Sequence, residues 1–374
     1  MVQYFVRTYR VGGMLIIIIY RGWVIIMLTA KENMRQTIIK GGKPDRFVNQ
    51  YEAIKLLFTP ILMHNGGAPA KGIVNSLNAW GVTMSWPENV PGAFPVHTAD
   101  KIVIKDIEHW QDYVKAPDIE YTEEEWAQFG EQYKNVDHER AFTASFFAPG
   151  LFEQVHYLCS MTAALEYYLT YPDEIQDLIK YLTEWELKCA EKICKYLKPE
   201  IMFHHDDWGS GTNSFLRPSM FADFFVEPYK QIYGYYHDHG TEFIVHHSDS
   251  YCANIVDSMI EMGIDVWQGC MESNDVPALN KKYNGAITFM GDIDNKSVDF
   301  TEWTDENNDK VVRACLERNV REHFIPCIAQ GGPGSVFPGV YASMCDVIDK
   351  VNEEKFGTPV EEIAKMRLPH DIMF

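Results

Sequence analysis

Two short clusters hold the residue types of acid–base and metal chemistry. His204-His205-Asp206-Asp207 follows the apolar run Ile201-Met202-Phe203, and His246-His247-Ser248-Asp249 follows Phe243-Ile244-Val245. Successive side chains leave a strand on opposite faces. His205 and Asp207 therefore share one face, and His204 and Asp206 share the other. One pair faces a pocket, and the other packs against helices or caps the next element. The pocket pair suits substrate hydrogen bonding or proton donation to a leaving group. The plain alternative is an Asp that caps the following loop. The His-x-Asp spacing of His247 and Asp249 suits two ligands of one metal, or an oriented His–Asp pair. His246 then points away and is structural. Cys327 ends a later apolar run, where a thiolate could complete a zinc site with His247. Cys270 is the fallback for that role, although a buried, inert thiol is the commoner fate of a cysteine.

These clusters belong to a pattern that occurs five times. Short apolar runs end in polar groups at 204–207, 246–249, 268–270, 291–294 and 327–331. Apolar runs of this length, spaced widely enough for a helix, predict buried parallel strands in repeated β-α units. Polar chemistry at the carboxyl ends of such strands marks the active face of a (β/α)8 TIM barrel. Trp208, Trp267, Gln268, Asp292 and Gln330 lie at those ends and are candidate substrate contacts. Asp294 is a further pocket candidate. The Gly331-Gly332-Pro333-Gly334-Ser335 turn lacks the Lys of a phosphate loop and fits close backbone approach to a ligand.

The chain has 374 residues, is 46% hydrophobic and carries a formal charge of −20. That apolar share supports a large core. The acidity argues against nucleic-acid binding, which needs a basic face. The 8 cysteines form no CxxC pair, so they read as reduced thiols of a cytoplasmic protein. Residues 1–26 differ from the rest: two apolar stretches flank Arg21, too short and too charged for a membrane helix. They read as a non-native or disordered extension, with 27–374 as one barrel domain. Thr29 with Glu32 predicts a capped helical start, a short N-terminal helical extension before the barrel. Thr122 to Glu125 predicts another capped start. Residues 64–98, with Trp80 and Trp86, predict a long loop region over a pocket.

At these residues the chain resembles the uroporphyrinogen decarboxylase superfamily, and its cobalamin-linked methyltransferase branch more than the decarboxylase. The matching pieces are Pro44-Asp45-Arg46, Gly150-Leu151-Phe152-Glu153, Asp206-Asp207-Trp208-Gly209, His247-Ser248-Asp249, Gly263-Ile264-Asp265 and Gly291-Asp292-Ile293-Asp294. Two departures matter. The decarboxylase's arginine-bearing segment is missing: Met34-Arg35-Gln36 continues into Thr37-Ile38, and 60–86 contain no arginine. The branch's His-x-Cys appears here as His247-Ser248-Asp249, and its later Cys falls nearer Gln330 than Cys327. The resemblance implies a methyltransferase that moves a methyl group between a small methylated donor and a corrinoid carried by a partner protein. Methoxylated aromatics would suit the aromatic loops. Zinc is the implied metal, with His247, Asp249 and Cys327 as ligand candidates and Asp207 or His205 as proton donor. The alternative is a carboxy-lyase acting on a porphyrin or other carboxylate, with Asp207 and His247 as its acid–base pair.

Overall fold

The computed structural model describes residues 6–11, 14–19, 23–65, 68–90 and 92–368. Its strands, in chain order, begin with β1 (Val6–Val11), β2 (Met14–Ile19), β3 (Trp23–Leu28) and β4 (Ile54–Leu57). Three short ones follow: β5 (Ser76–Leu77), β6 (Thr83–Ser85) and β7 (Phe94–Pro95). The longer series is β8 (Phe142–Phe147), β9 (Ile201–His205), β10 (Phe243–His247), β11 (Val266–Cys270), β12 (Thr288–Ile293) and β13 (Phe324–Ile328). All five apolar runs of the repeated pattern are therefore strands, β9 to β13. Helices separate them, giving the β-α repeat of the TIM-barrel class.

The chain divides into two compact units. One gathers the chain up to Leu56, Val136–Thr143 and the part from Asp265 onward; the other holds Leu57–Asn135 and Ala144–Ile264. In the second unit β8, β9 and β10 pair in parallel. The helix Pro172–Tyr196 lies between β8 and β9 and buries Ile175, Leu178, Ile179, Leu182, Cys189, Ala190 and Ile193. That spacing is one face of a helix. Each buried Leu or Ile contributes about 1.5–3 kcal/mol. Trp126, on the capped helix Glu123–Lys134, stacks on Tyr196 at 4.8 Å. The Thr122–Glu125 capping box is present as predicted. The loop region 64–98 is not bare loop: β5, β6 and β7 pair within it as a small antiparallel sheet.

In the first unit β11, β12 and β13 pair in parallel. Thr29 caps the helix Ala30–Ile38 by accepting from the Glu32 N–H, as its spacing predicts. The side chain of Asn352, on the helix Val340–Phe356, exchanges two hydrogen bonds with the Phe47 backbone at 2.9 Å each. Preceding these, β1, β2 and β3 pair antiparallel, in the stretch the sequence reads as an extension. No described helix is long and apolar enough to cross a membrane.

Candidate metal and acid–base site

Parallel pairing in register fixes the site. His247 lies opposite His205, and His246 opposite His204. Alternation then sorts the four imidazoles into two stacks on opposite faces of the sheet. His205 and His247 stack at 4.5 Å between ring centroids, and His204 and His246 at 5.6 Å.

The first stack is the chemical one. Asp207 follows β9 on the same side, with Oδ1 at 4.0 Å from His247 Nε2. Donor atoms of His205, Asp207 and His247 all lie within 4.8 Å of one another. His205 Nδ1 hydrogen-bonds Glu153 Oε2 at 2.9 Å. Asp249 joins through its backbone: its N–H donates to Asp207 Oδ1 at 3.0 Å.

The second stack is structural and holds the first in place. His204 meets Glu186 at 2.6 Å, and His246 Nδ1 meets the Tyr233 hydroxyl at 2.7 Å. Asp206 accepts from the Phe152 and Glu153 N–H groups at 3.0 and 2.8 Å. It thereby satisfies two orphan donors at the start of the helix Leu151–Cys159. It also accepts from Trp208 Nε1 and the Tyr229 hydroxyl. Gly150 makes this approach possible, since a Cβ there would lie 2.4 Å from Asp206 Cβ. The outcome is that Glu153, in the first turn of that helix, is delivered to His205.

The electrostatics follow from crowding acids in a partly dry space. Burial pushes Glu153 up to about 7, against the lowering pull of His205. Burial alone would lower His205, but the charge and hydrogen bond of Glu153, then Asp207 and Asp249, override it and raise the ring to about 10. The pair thus keeps a proton on the imidazole at neutral pH. Burial, then the charge of Asp207, raises Asp249 to about 7. Among the described residues, three carboxylates and two imidazoles gather here without a lysine or arginine, an arrangement that welcomes a cation.

A cavity of about 510 Å3 meets the site at Glu153 and His205, and its lining includes Phe58, Met63, Met84, Trp86, Phe146 and Tyr157. Its walls carry aromatic rings and thioethers, and among the described residues its acid–base pair is Glu153–His205.

The sequence-predicted residues fall into three groups. His205, Asp207 and His247 come together as a candidate metal centre. Asp249 stands beside them, tied through its backbone N–H, and its carboxylate is not in the donor triad. The remaining candidates are engaged elsewhere. Cys327 is fully buried, its thiol hydrogen-bonded by Tyr51 and Gln268 and pushed well up by burial. It is not in the donor triad, and a thiol so held is a packed core group. Trp208 is also a correction. Its indole N–H is spent on Asp206 and its ring stacks on His246 at 3.8 Å, so it does not line the cavity. Trp267 is buried against Phe289. Gln268 donates to the Ala329 carbonyl, Asp292 pairs with Arg318 and Asn319, and Gln330 donates to Asp299. Glu153 and Tyr157 were not predicted as site residues. The one available signal for Glu153 was an acid in the first turn after Pro149-Gly150.

The donors of His205, Asp207 and His247 are two imidazole nitrogens and one carboxylate oxygen. Three protein ligands with an open fourth position is the pattern of catalytic zinc. The set fits zinc without a thiolate.

Residues 70–351 match the family model described as uroporphyrinogen decarboxylase (URO-D). No curated protein matches the chain. Among solved structures, a methyltransferase from Methanosarcina mazei superposes with a TM-score of 0.58 at 13% identity, covering 86% of this chain and 99% of that one. An endo-beta-1,4-mannanase double mutant from Cellulomonas fimi gives a TM-score of 0.40 at 10% identity, covering 92% and 80%. The first likeness is one of fold, and it agrees with the TIM-barrel class read from the strands.

Proposed function

The chain belongs to the uroporphyrinogen decarboxylase family, and within it we propose a methyltransferase that moves a methyl group from a small methylated donor to a corrinoid carried by a partner protein. The observation that carries this reading is the cavity. Its apolar, aromatic walls reach His205 of the His205–Asp207–His247 triad, with no lysine or arginine among the described residues of the lining. A porphyrin polycarboxylate needs cations to hold it, and this site offers carboxylates instead. The decarboxylase alternative is therefore the weaker one. The fold likeness to a protein named as a methyltransferase agrees with this choice.

His205, Asp207 and His247 would hold a zinc ion. Bound there, zinc would supply Lewis acidity toward a poor leaving group. Glu153 accepts from His205 Nδ1, fixes the ring and leaves Nε2 as the donor atom. The aromatic walls orient the donor and exclude water. When the methyl–oxygen bond of an ether breaks, its electron pair stays on oxygen and the methyl group passes to the corrinoid. The oxygen then takes a proton, and Glu153 and His205 are the acid–base groups lining that space.

The test is metal analysis of the purified full chain, followed by a methyl-donor screen with a corrinoid protein. The expected result is about one zinc per chain and donor-dependent methylation of the corrinoid. A metal-free protein that releases carbon dioxide from a porphyrinogen would establish the decarboxylase instead.

A further inference from the structure

Asn precedes Gly twice in the chain, at Asn65-Gly66 and Asn284-Gly285. In such a pair the backbone nitrogen can reach the side-chain amide, because glycine brings no Cβ to obstruct the approach. The two asparagines are held differently. Asn65 is buried, and its amide donates to the Tyr121 hydroxyl at 2.8 Å. Asn284 is exposed, and its side chain has no hydrogen-bond partner among the described residues. It ends the helix Val276–Tyr283 in the left-handed region, at φ 46° and ψ 52°, which Asn tolerates. Its own N–H donates to the Asn280 carbonyl, and the Ala286 N–H donates to the Tyr283 carbonyl. The peptide between those anchors is different. Neither the Asn284 carbonyl nor the Gly285 N–H has a hydrogen-bond partner among the described residues. The chain is tied on both sides of one peptide that is free to turn.

We propose that Asn284 is a modification site, which converts without an enzyme to aspartate and isoaspartate. The inference stands independently of methyl transfer. The Gly285 nitrogen attacks Asn284 Cγ and forms a new C–N bond. The C–N bond of the carboxamide breaks, and its nitrogen takes the Gly285 proton and leaves as ammonia. Water then opens the cyclic imide at either carbonyl, giving aspartate or isoaspartate, with no oxidant or reductant needed. Both products disturb the fold. The helix carries Lys281 and Lys282 in its last turn, where positive charge suits the dipole, and a carboxylate beyond them opposes it. Isoaspartate also lengthens the backbone by one carbon just before Gly285. That glycine lies against His323: its φ is 80°, and a Cβ there would stand 2.5 Å from Nε2. The His323 N–H donates to the Thr37 carbonyl, and its carbonyl accepts from the Phe289 N–H. The lengthened backbone therefore presses on the residue that leads into β13.

The folded full chain is held in neutral buffer at physiological temperature, with a urea-unfolded sample beside it. Peptides covering both Asn-Gly pairs are followed over time by mass spectrometry that separates isoaspartate from aspartate. In urea the two pairs should convert alike. In the folded chain Asn284 should convert ahead of Asn65, whose amide is held by Tyr121. Asn284→Gln, which would have to close a larger ring, should lose the product at this position. The aged full chain should melt below the fresh one, and aged Asn284→Gln should not. Folded Asn284 left intact while the unfolded sample turns over, or Asn65 converting first in the folded chain, would overturn the inference. An equal fall in melting temperature in the aged variant would overturn the effect on the fold.

Discussion

Glu153→Gln tests how the site is held together. Glu153 is buried, accepts from His205 Nδ1 at 2.9 Å and is anchored by its own N–H to Asp206. The substitution keeps the shape and an accepting oxygen but removes the charge. If His205 is a metal ligand, zinc affinity should fall tenfold to a hundredfold, about 1.4–2.7 kcal/mol. The zinc-free fold should lose little. Removing one partner of a buried pair is costly when a bare charge stays behind, but His205 can release its proton once Glu153 no longer holds it there. The pH profile gives an independent readout. Both folded values are raised: Glu153 from 4.5 to about 7, His205 from 6.5 to about 10. The folded pair therefore binds more protons than the unfolded chain. The stability it contributes is complete below the unfolded values and is lost as pH rises, first toward 7 for Glu153 and then through about 10 for His205. The slope is at most about 1.4 kcal/mol per pH unit per proton. In Glu153→Gln the lower step disappears, and the upper one shrinks because its main raising cause is gone. Urea denaturation across pH and chelator-competition zinc titration measure both effects. Unchanged zinc affinity together with an unchanged pH slope would refute the assignment.

Four further outcomes are expected. His247→Ala should fold with a nearly unchanged far-UV spectrum while bound zinc and methyl transfer are lost together; full activity would end the metal reading. Cys327→Ser should retain zinc, since its thiol is held by Tyr51 and Gln268, and loss of metal there would restore it as a ligand. His156 is buried and burial lowers it to about 4 from 6.5, so its stability contribution is present above 6.5 and lost as pH falls toward 4, roughly 3 kcal/mol in all; acid denaturation of His156→Phe should begin at lower pH, and an unshifted midpoint would count against this. A chain starting at Met27 keeps the Leu28 bonds to Asp45 and Arg46 and should melt at the same temperature as the full chain; a drop of several degrees would show that the earlier strands stabilise the fold.

Much of the site was legible because strand geometry is local. Alternation along Phe203 to His205 and Val245 to His247 sorts the imidazoles by face, and the structure keeps that sorting on both strands. The errors begin where the strands end. β10 stops at His247, so the His-x-Asp spacing carried no guarantee for Asp249, whose N–H rather than its carboxylate meets Asp207. Asp292 lies on a strand but has a positive φ of 66°, and its carboxylate goes to Arg318 and Asn319. Cys327 failed for another reason. A small thiol at a strand end fits a ligand and a core residue equally well, and only its long-range neighbours decide between them.

Glu153 gave only a weak local signal, an acid in the first turn of a helix, because its partner His205 is 52 residues away. The link between them is Asp206, which a local reading assigns to the wrong side of the sheet for chemistry. Its carboxylate binds the N–H groups of Phe152 and Glu153, and that places the first turn of their helix against β9. A strand that is chemical on one face is thus constructional on the other, and each depends on its neighbour in sequence. The consequence is a test of the pair. Asp206→Asn keeps every group of the triad yet weakens the charge that holds the helix start. Zinc affinity should fall with it, and combining it with Glu153→Gln should cost less than the two single losses summed, because both act on the same ring. Fully additive losses would mean that Asp206 stabilises the fold without positioning Glu153.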